Sequence, residues 1–319
     1  MSAARAQGRT RVAVIGGGAS CEHAVSLASA ASVAAALDPL SYDVVPLTID
    51  PHGTWLDPGG RPVGLTGAAC LLRSCDVVLP VVHGPRGEDG TLAALCELAG
   101  LPYVGSGVRA GALAMDKWAT KLVAEAVGVA TAPGDLLTPA TAAVQRWTHP
   151  VVVKPVAAGS SHGVSLVECA DDLLDRALAI DDRVLVEDVV AGREVDVAVL
   201  GRPDGSRVVA PMLEIVVDGL FGFDDKYGGT ADFRIPPSLE EAEQKALHDA
   251  AVAVYDALGC AGVARIDFFL TDDGPVLNEV NTMPGFTEQS QVPKMFAAAG
   301  LAYPELLDLL VRDAMGPRA

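Results

Sequence analysis

The chain has 319 residues, half of them hydrophobic, which is long for one packed unit and predicts two or three subdomains with substantial cores. A formal net charge of −18 excludes a protein built to neutralise a nucleic-acid backbone, so any phosphate must be held locally by a few lysines, backbone amides and metal ions. No stretch is long and apolar enough for a membrane span or secretory leader, and the six cysteines form no CxxC pair; a cytoplasmic protein with free, mostly buried thiols is expected, without a zinc site or disulfide framework.

Val12-Ala13-Val14-Ile15 reads as a short buried strand running into Gly16-Gly17-Gly18, and the stretch from Val25 to Leu37 suits a helix. Strands from Asp43 to Leu47 and Val77 to Val82, with a helix from Gly90 to Ala99, continue the alternation. They predict a small parallel α/β domain ending near Gly107. The glycine cluster lacks dinucleotide spacing, because Cys21 holds the last glycine position. A helix from Asp116 to Val127 then leads to short strands at Val151 to Val153, Val164 to Val167, Val184 to Glu187 and Val195 to Leu200, an α+β middle region. Ser238, three residues before Glu241, predicts a capping box for a helix whose apolar positions Leu247, Ala251, Val254, Tyr255 and Leu258 precede Gly259.

Gly262 to Leu270 and Val276 to Val280 read as an antiparallel hairpin joined by Thr271-Asp272-Asp273-Gly274. If Leu270 lies opposite Val276, Asp267 faces Glu279 and Arg265 faces Asn281, and the period of two puts all four on one side of the sheet. Facing carboxylates repel unless a cation neutralises them, and an oxygen-only set with an Asn suits Mg²⁺ that also holds phosphates. The bland alternative is a solvated edge hairpin; the apolar flanks Phe268, Leu270 and Val280 favour a site. Further upstream, a strand ending in Lys154-Pro155 precedes Gly159-Ser160-Ser161-His162-Gly163, a loop rich in donors that can close over phosphate oxygens beside the lysine. The same five residues match the G-x-S-x-G nucleophile elbow with Ser161 as nucleophile. That reading is disfavoured because Val164 to Val167 continues as a strand where an elbow needs a helix.

In chain order these segments resemble the D-alanine–D-alanine ligase family of ATP-grasp enzymes. The resemblance runs from about Val12 to about Leu310 and includes Gly17-Gly18 with Ser20, Glu22 and Val25-Ser26; His83-Gly84 with Gly87-Glu88-Asp89-Gly90; Gly105-Ser106-Gly107; Met115-Asp116-Lys117; Lys154-Pro155 with Gly159-Ser160-Ser161; Lys226-Tyr227; Ala264-Arg265-Ile266-Asp267; and Asn278-Glu279-Val280-Asn281-Thr282 with Pro284-Gly285-Phe286-Thr287. It implies an ATP-grasp fold in which an N-terminal parallel α/β domain is followed by two α+β subdomains that sandwich ATP. The corresponding division is 1–107 for the first D-amino acid, 108–202 for the central subdomain with the phosphate loop, and 203–319 for the metal and oxyanion sites.

By the same resemblance, Glu22 holds the ammonium of the first D-alanine and His83 lies beside that subsite. Lys117, Lys154 and Ser161 serve the phosphates and nucleotide, and Glu187, Val190 and Glu194 the adenosine. Ser160 and Tyr227 join Glu22 in a hydrogen-bonded set that orders the loop over the site. Arg265 and the Gly285 amide are the oxyanion donors, Asp267, Glu279 and Asn281 ligate two Mg²⁺ (Mn²⁺ being an alternative), and Lys226, Ser290 and Gln291 surround the second subsite, with Lys226 also near the nucleotide. The implied activity is ATP-dependent formation of D-alanyl-D-alanine for peptidoglycan synthesis. A homodimer is implied, and a monovalent cation such as K⁺ is a further candidate cofactor.

Several positions depart from the family pattern. Gly222 and Phe223 stand where Asp and Tyr are usual, Gln291 where Leu or Met is usual, His162 where a small apolar residue is usual, and Glu22-His23 looks more like resistance-type relatives. The retained Tyr227 accompanies an amine rather than a hydroxy-acid nucleophile in the family. A specialised ligase taking D-serine or another D-amino acid second is therefore the alternative enzyme reading. A nucleotide-binding regulatory module is the alternative outside enzymes, and it has no need of an oxyanion donor such as Arg265.

Overall fold

The computed structural model of the chain describes residues 8–142, 149–159, 163–167, 178–179, 181–216 and 232–316. The expectations for Ser160, Ser161, His162, Cys169, Gly222, Phe223, Lys226 and Tyr227 lie outside the described residues. Strand β1 (Thr10–Gly17) pairs in parallel with β2 (Tyr42–Ile49) and β4 (Val77–Pro80), while β3 (Trp55–Leu56) adds an antiparallel edge to β2. The expected parallel sheet is present, with its last strand shortened to end at Pro80. Helices α1 (His23–Ala36), α2 (Gly64–Leu72) and α3 (Thr91–Ala99) accompany it.

The glycines after β1 serve close packing. A methyl group on Gly16 would lie 2.4 Å from the Ala30 side chain, and one on Gly17, whose φ is +86°, would lie 2.2 Å from the Ile49 carbonyl oxygen. Helix α1 therefore approaches the sheet through small residues. The residues it buries are Ser26, Ser29 and Val33, which a hydrophobic-periodicity reading undervalues.

Helices α4 (Val108–Met115) and α5 (Lys117–Ala126) lead to β5 (Ala130–Thr131). Asp116 caps α5 by accepting from the Ala119 amide at 2.9 Å. Next comes an antiparallel four-stranded sheet in the order β6 (Gly134–Leu137), β9 (Val184–Asp188), β7 (Val151–Pro155), β8 (Ser165–Val167).

The third sheet has seven strands. Its path runs β13 (Asp232–Arg234), β12 (Leu213–Val216), β10 (Arg193–Gly201), β14 (Gly262–Thr271), β15 (Gly274–Asn281) and β5, with β11 (Arg207–Val209) pairing β10. Strand β10 lies beside β14 over its whole length, so a division at 202/203 runs between two strands of this one sheet. The helix Glu241–Leu258 buries Leu247, Ala251, Val254, Tyr255 and Leu258 and ends at a left-handed Gly259, as its periodicity predicts.

The capping box is displaced from its expected place. The N-cap is Glu240, and the Glu243 carboxylate accepts from the Glu240 amide at 2.7 Å, so the Ser238–Glu241 box is not formed. The Ser238 carbonyl is instead taken by Arg193 Nη2 at 2.8 Å, which holds the approach to the helix against β10. Among the described cysteines, Cys75, Cys96 and Cys260 are buried, Cys21 and Cys70 are exposed, and all are free thiols. Among the described residues no helix is long and apolar enough to cross a membrane.

Candidate active site

Between the four-stranded and seven-stranded sheets lies a cavity of about 260 Å³. It is lined by Lys117, Lys154, Glu187, Val190, Glu194, Arg265, Asp267 and Glu279, all singled out from the sequence. Lys117 sits at the first position of α5, where the helix dipole disfavours a cation. Local acceptors offset that: Nζ donates to the Ala158 carbonyl at 2.7 Å and lies 3.6 Å from Glu279 Oε2. Lys154, at the end of β7, is buried against Glu187 Oε2 at 2.5 Å and also donates to Asn278 Oδ1 at 3.3 Å. A residue the sequence reading passed over, Lys121, holds the other oxygen of Glu187 at 2.7 Å. Burial alone would raise the Glu187 pKa, but Lys154 and Lys121 outweigh it and keep the carboxylate below its usual range.

The hairpin places its polar residues as the period of two requires. Asp267 faces Glu279 and Arg265 faces Asn281. A bulge after Asp267 makes Phe268 pair with Leu277, so Leu270 faces Pro275 rather than Val276. Asn278 is the extra residue of that bulge, and its side chain meets Lys154. Across the other side of β14, Asp196 faces Asp267, so Asp196, Asp267 and Glu279 form one row over three strands. Asp196 was legible only as a charged residue alternating with buried Val195 and Val197.

Arg265 offsets part of the charge of this row. It grips Asp267 bidentately at 2.7 Å and 2.7 Å, lies 3.5 Å from Asp196, and donates to the Gln291 side-chain oxygen. Burial opposes its charge, but Asp267 and Asp196 hold its pKa well above the ordinary value. Asn281 donates to Asp267 Oδ2 at 3.1 Å. Among the described residues no three His, Cys, Asp or Glu side chains close around a metal-sized point. The donors are all oxygen and share one face, which suits a hard cation that draws its remaining ligands from phosphate and water.

A second group of residues meets at the N-terminal sheet. Glu22 is buried at the start of α1. A methyl group on Gly84 would lie 2.4 Å from Glu22 Oε2, and one on Gly159 would lie 2.5 Å from it. The fold thus sets the start of the phosphate loop directly against the Glu22 carboxylate, with glycine at both contacts. Glu88, part of the quoted motif but not singled out, accepts from the Gly84 amide at 3.0 Å. Burial, then the charges of Glu22 and Glu279, push its pKa up to about 8. His83 is buried with both ring nitrogens engaged, Nδ1 at 2.8 Å from the Met283 carbonyl and Nε2 at 2.9 Å from Ser29 Oγ. Gly285 lies in the segment those contacts hold. Ser290 Oγ accepts from the Thr287 amide at 3.0 Å and Ser290 precedes the helix Gln291–Ala298, which brings Gln291 to Arg265.

Family models agree with this architecture. One described as the D-ala D-ala ligase N-terminus matches residues 11–66 and 63–106, and one described as the D-ala D-ala ligase C-terminus matches residues 130–312. A D-alanine–D-alanine ligase of Mycolicibacterium vanbaalenii is 41% identical, over 96% of this chain and 97% of its own. Among solved structures, the VanG D-Ala:D-Ser ligase of Enterococcus faecalis superposes with a TM-score of 0.83 at 32% identity, covering 96% of this chain and 99% of that one. A Bacillus anthracis D-alanine–D-alanine ligase complexed with ATP gives 0.79 at 28% identity, covering 96% and 97%.

Proposed function

The chain belongs to the D-alanine–D-alanine ligase family, and from that premise we infer that it joins two D-alanine molecules, consuming ATP and releasing ADP and phosphate, as a step of cell-wall precursor synthesis. The observation that carries this reading is the one cavity in which Lys117 and Lys154 meet the Arg265, Asp267 and Glu279 face. ATP occupies that cavity between the two sheets, its adenosine beside Glu187, Val190 and Glu194. The first D-alanine lies toward Glu22, which holds its ammonium, and its carboxylate attacks the γ-phosphate in line. Lys117 and Lys154 balance the phosphate charge that would repel that approach.

Asp267, Glu279 and Asn281 are fitted to hold Mg²⁺, which would supply charge neutralisation on the phosphates. The neutral amine of the second D-alanine attacks the acyl carbon of the acylphosphate. Arg265 and the Gly285 amide stabilise the oxyanion before phosphate departs. Ser160, Ser161, Lys226 and Tyr227 complete the reading as loop and lid residues that exclude water from the acylphosphate. Ser290 and Gln291 border the second subsite. The Gln291 carboxamide oxygen accepts from Arg265, which ties this border of the second subsite to the oxyanion donor. Family membership favours D-alanine as the second substrate. Family membership also supports a division into an N-terminal unit ending near 107 and two ATP-grasp subdomains, a cytoplasmic location and a homodimer.

The test supplies ATP and Mg²⁺ with D-alanine alone, or with D-alanine plus D-serine or D-lactate, and follows ADP release with product mass. D-alanine alone is expected to give D-alanyl-D-alanine at one ADP per dipeptide. Turnover only in the presence of a second, different acceptor would reassign the enzyme to a specialised ligase.

A further inference from the structure

We infer that Ser29 and His83 are positioning residues for acyl transfer: they clamp the segment from Met283 to Phe286 on both sides of Gly285 and so fix the amide that faces the developing oxyanion. The inference rests on the reading of Gly285 as an oxyanion donor, and it gives His83 a duty different from contacting substrate.

The direction of each hydrogen bond follows from chemistry. The Met283 carbonyl can only accept, so His83 Nδ1 carries the proton across the 2.8 Å contact. His83 is 2% exposed, and burial holds its pKa down at about 4, so the ring is neutral and Nε2 offers a lone pair. Ser29 must then donate its hydroxyl hydrogen to Nε2 at 2.9 Å, which leaves Oγ free to accept the Phe286 amide at 3.1 Å. The result is one ordered chain, from Phe286 N–H to Ser29, from Ser29 to His83, and from His83 to the Met283 carbonyl. Tyr303 closes the far side by donating to the Phe286 carbonyl at 2.6 Å.

Residues 284–286 belong to no helix or strand, so no regular ladder holds Gly285 in place. An oxyanion donor is effective only if it is already aimed, and a misplacement of about 1 Å can cost about a hundredfold in rate. The bland account of Ser29 is a satisfied core hydroxyl. Its neighbour on the same helix, Ser26, fits that account by donating to the Val81 carbonyl at 2.5 Å, a contact that ties the helix to the N-terminal sheet. Both serines are wholly buried, and Ser29 differs in its partners, a histidine at the end of the N-terminal sheet and a backbone amide 257 residues away.

The experiment compares Ser29→Ala and His83→Gln with the parent enzyme, using Ser26→Ala as the packing control, in the presence of ATP, Mg²⁺ and D-alanine. Four quantities are read: kcat and the first-site KM for dipeptide formation; scrambling of labelled oxygen out of the β,γ bridge of ATP, which reports acylphosphate formation; and amide hydrogen exchange of the peptide covering residues 283–290. In both variants kcat is expected to fall about tenfold to a hundredfold, while the first-site KM and the scrambling rate stay within about threefold and the peptide exchanges faster. Ser26→Ala is expected to keep kcat within about twofold. If Ser29→Ala does not fold, His83→Gln carries the comparison alone. Parent-like kcat with unchanged exchange would mean there is no clamp. A loss of scrambling that matches the loss of kcat, or a raised first-site KM, would place the pair at the first subsite and overturn the inference. Faster exchange with kcat retained would show that the clamp exists but that Gly285 is not the oxyanion donor, which sinks the underlying reading and the positioning role with it.

Discussion

Glu88 and His83 lie 3.8 Å apart and titrate in opposite senses, which gives the enzyme a pH dependence that can be worked out residue by residue. Glu88 has its pKa raised from 4.5 to about 8, by burial first and then by Glu22 and Glu279. The folded state therefore keeps a proton that the unfolded chain releases. Its contribution is fully present below about 4.5 and is lost as pH rises toward 8. His83 is depressed from 6.5 to about 4 by burial, so its contribution is present above 6.5 and is lost as pH falls through 4. Between 4.5 and 6.5 the two slopes oppose each other; from 6.5 to 8 only Glu88 acts. Denaturant titration of the nucleotide-free enzyme should show stability declining over that upper window, by at most about 1.4 kcal/mol per pH unit for one proton. Glu88→Gln should flatten the decline. An equal slope in the variant would mean that Glu88 is ionised in the native state.

At the scale of elements, the paired sheets put one cation in charge of another. Lys121 on α5 and Lys154 on β7 share the Glu187 carboxylate of β9. Removing Lys121 leaves Glu187 with Lys154 as its only cation among these three, and on the proposed reading tightens a grip that the nucleotide must loosen. Lys121→Met is therefore expected to raise the KM for ATP by about tenfold, with kcat changed by less than about threefold, in ATP titrations at saturating D-alanine. An unchanged KM would show that Lys154 reaches the nucleotide independently of Lys121.

The same elements show what the sequence could and could not disclose. The register read from Leu270 opposite Val276 is one residue off, and the bulge after Asp267 compensates for it, so Asp267 still faces Glu279 while the period of two keeps both on one face. The bulge that presents Asn278 to Lys154 left no mark, since one extra residue changes pairing without changing composition. Lys121 and Asp196 looked like ordinary charges in a helix and a strand. Their burial comes from neighbours distant in sequence, which periodicity does not report. Ser29 was hidden for the related reason that α1 packs through small residues and shows almost no apolar stripe.

Across the whole molecule, the N-terminal sheet and the C-terminal unit that carries Gly285 share one core. Val12, Val14 and Leu79 of the N-terminal sheet pack in the same cluster as Leu200, Val263, Phe296, Leu306 and Leu310. Tyr42 adds a hydrogen bond to Asp308 at 2.6 Å. The four-stranded sheet that roofs the nucleotide cavity has a small core of its own, built around Leu137, Val151, Val153, Val167, Val184 and Val186. This division suits the proposed reaction, in which Glu22 and Gly285 keep a fixed separation through two chemical steps while the roof admits ATP and releases ADP. Leu306→Ala removes a fully buried side chain from the shared core and should cost about 2–5 kcal/mol. Because the core is continuous, hydrogen exchange should then quicken together in peptides covering β1 and β14, while β7 and β9 keep their parent rates. If only the helix Tyr303–Met315 loosened, the two units would be separately stable, and the spacing that the proposed reaction needs would have to be held by hydrogen bonds such as those of Ser29 and His83.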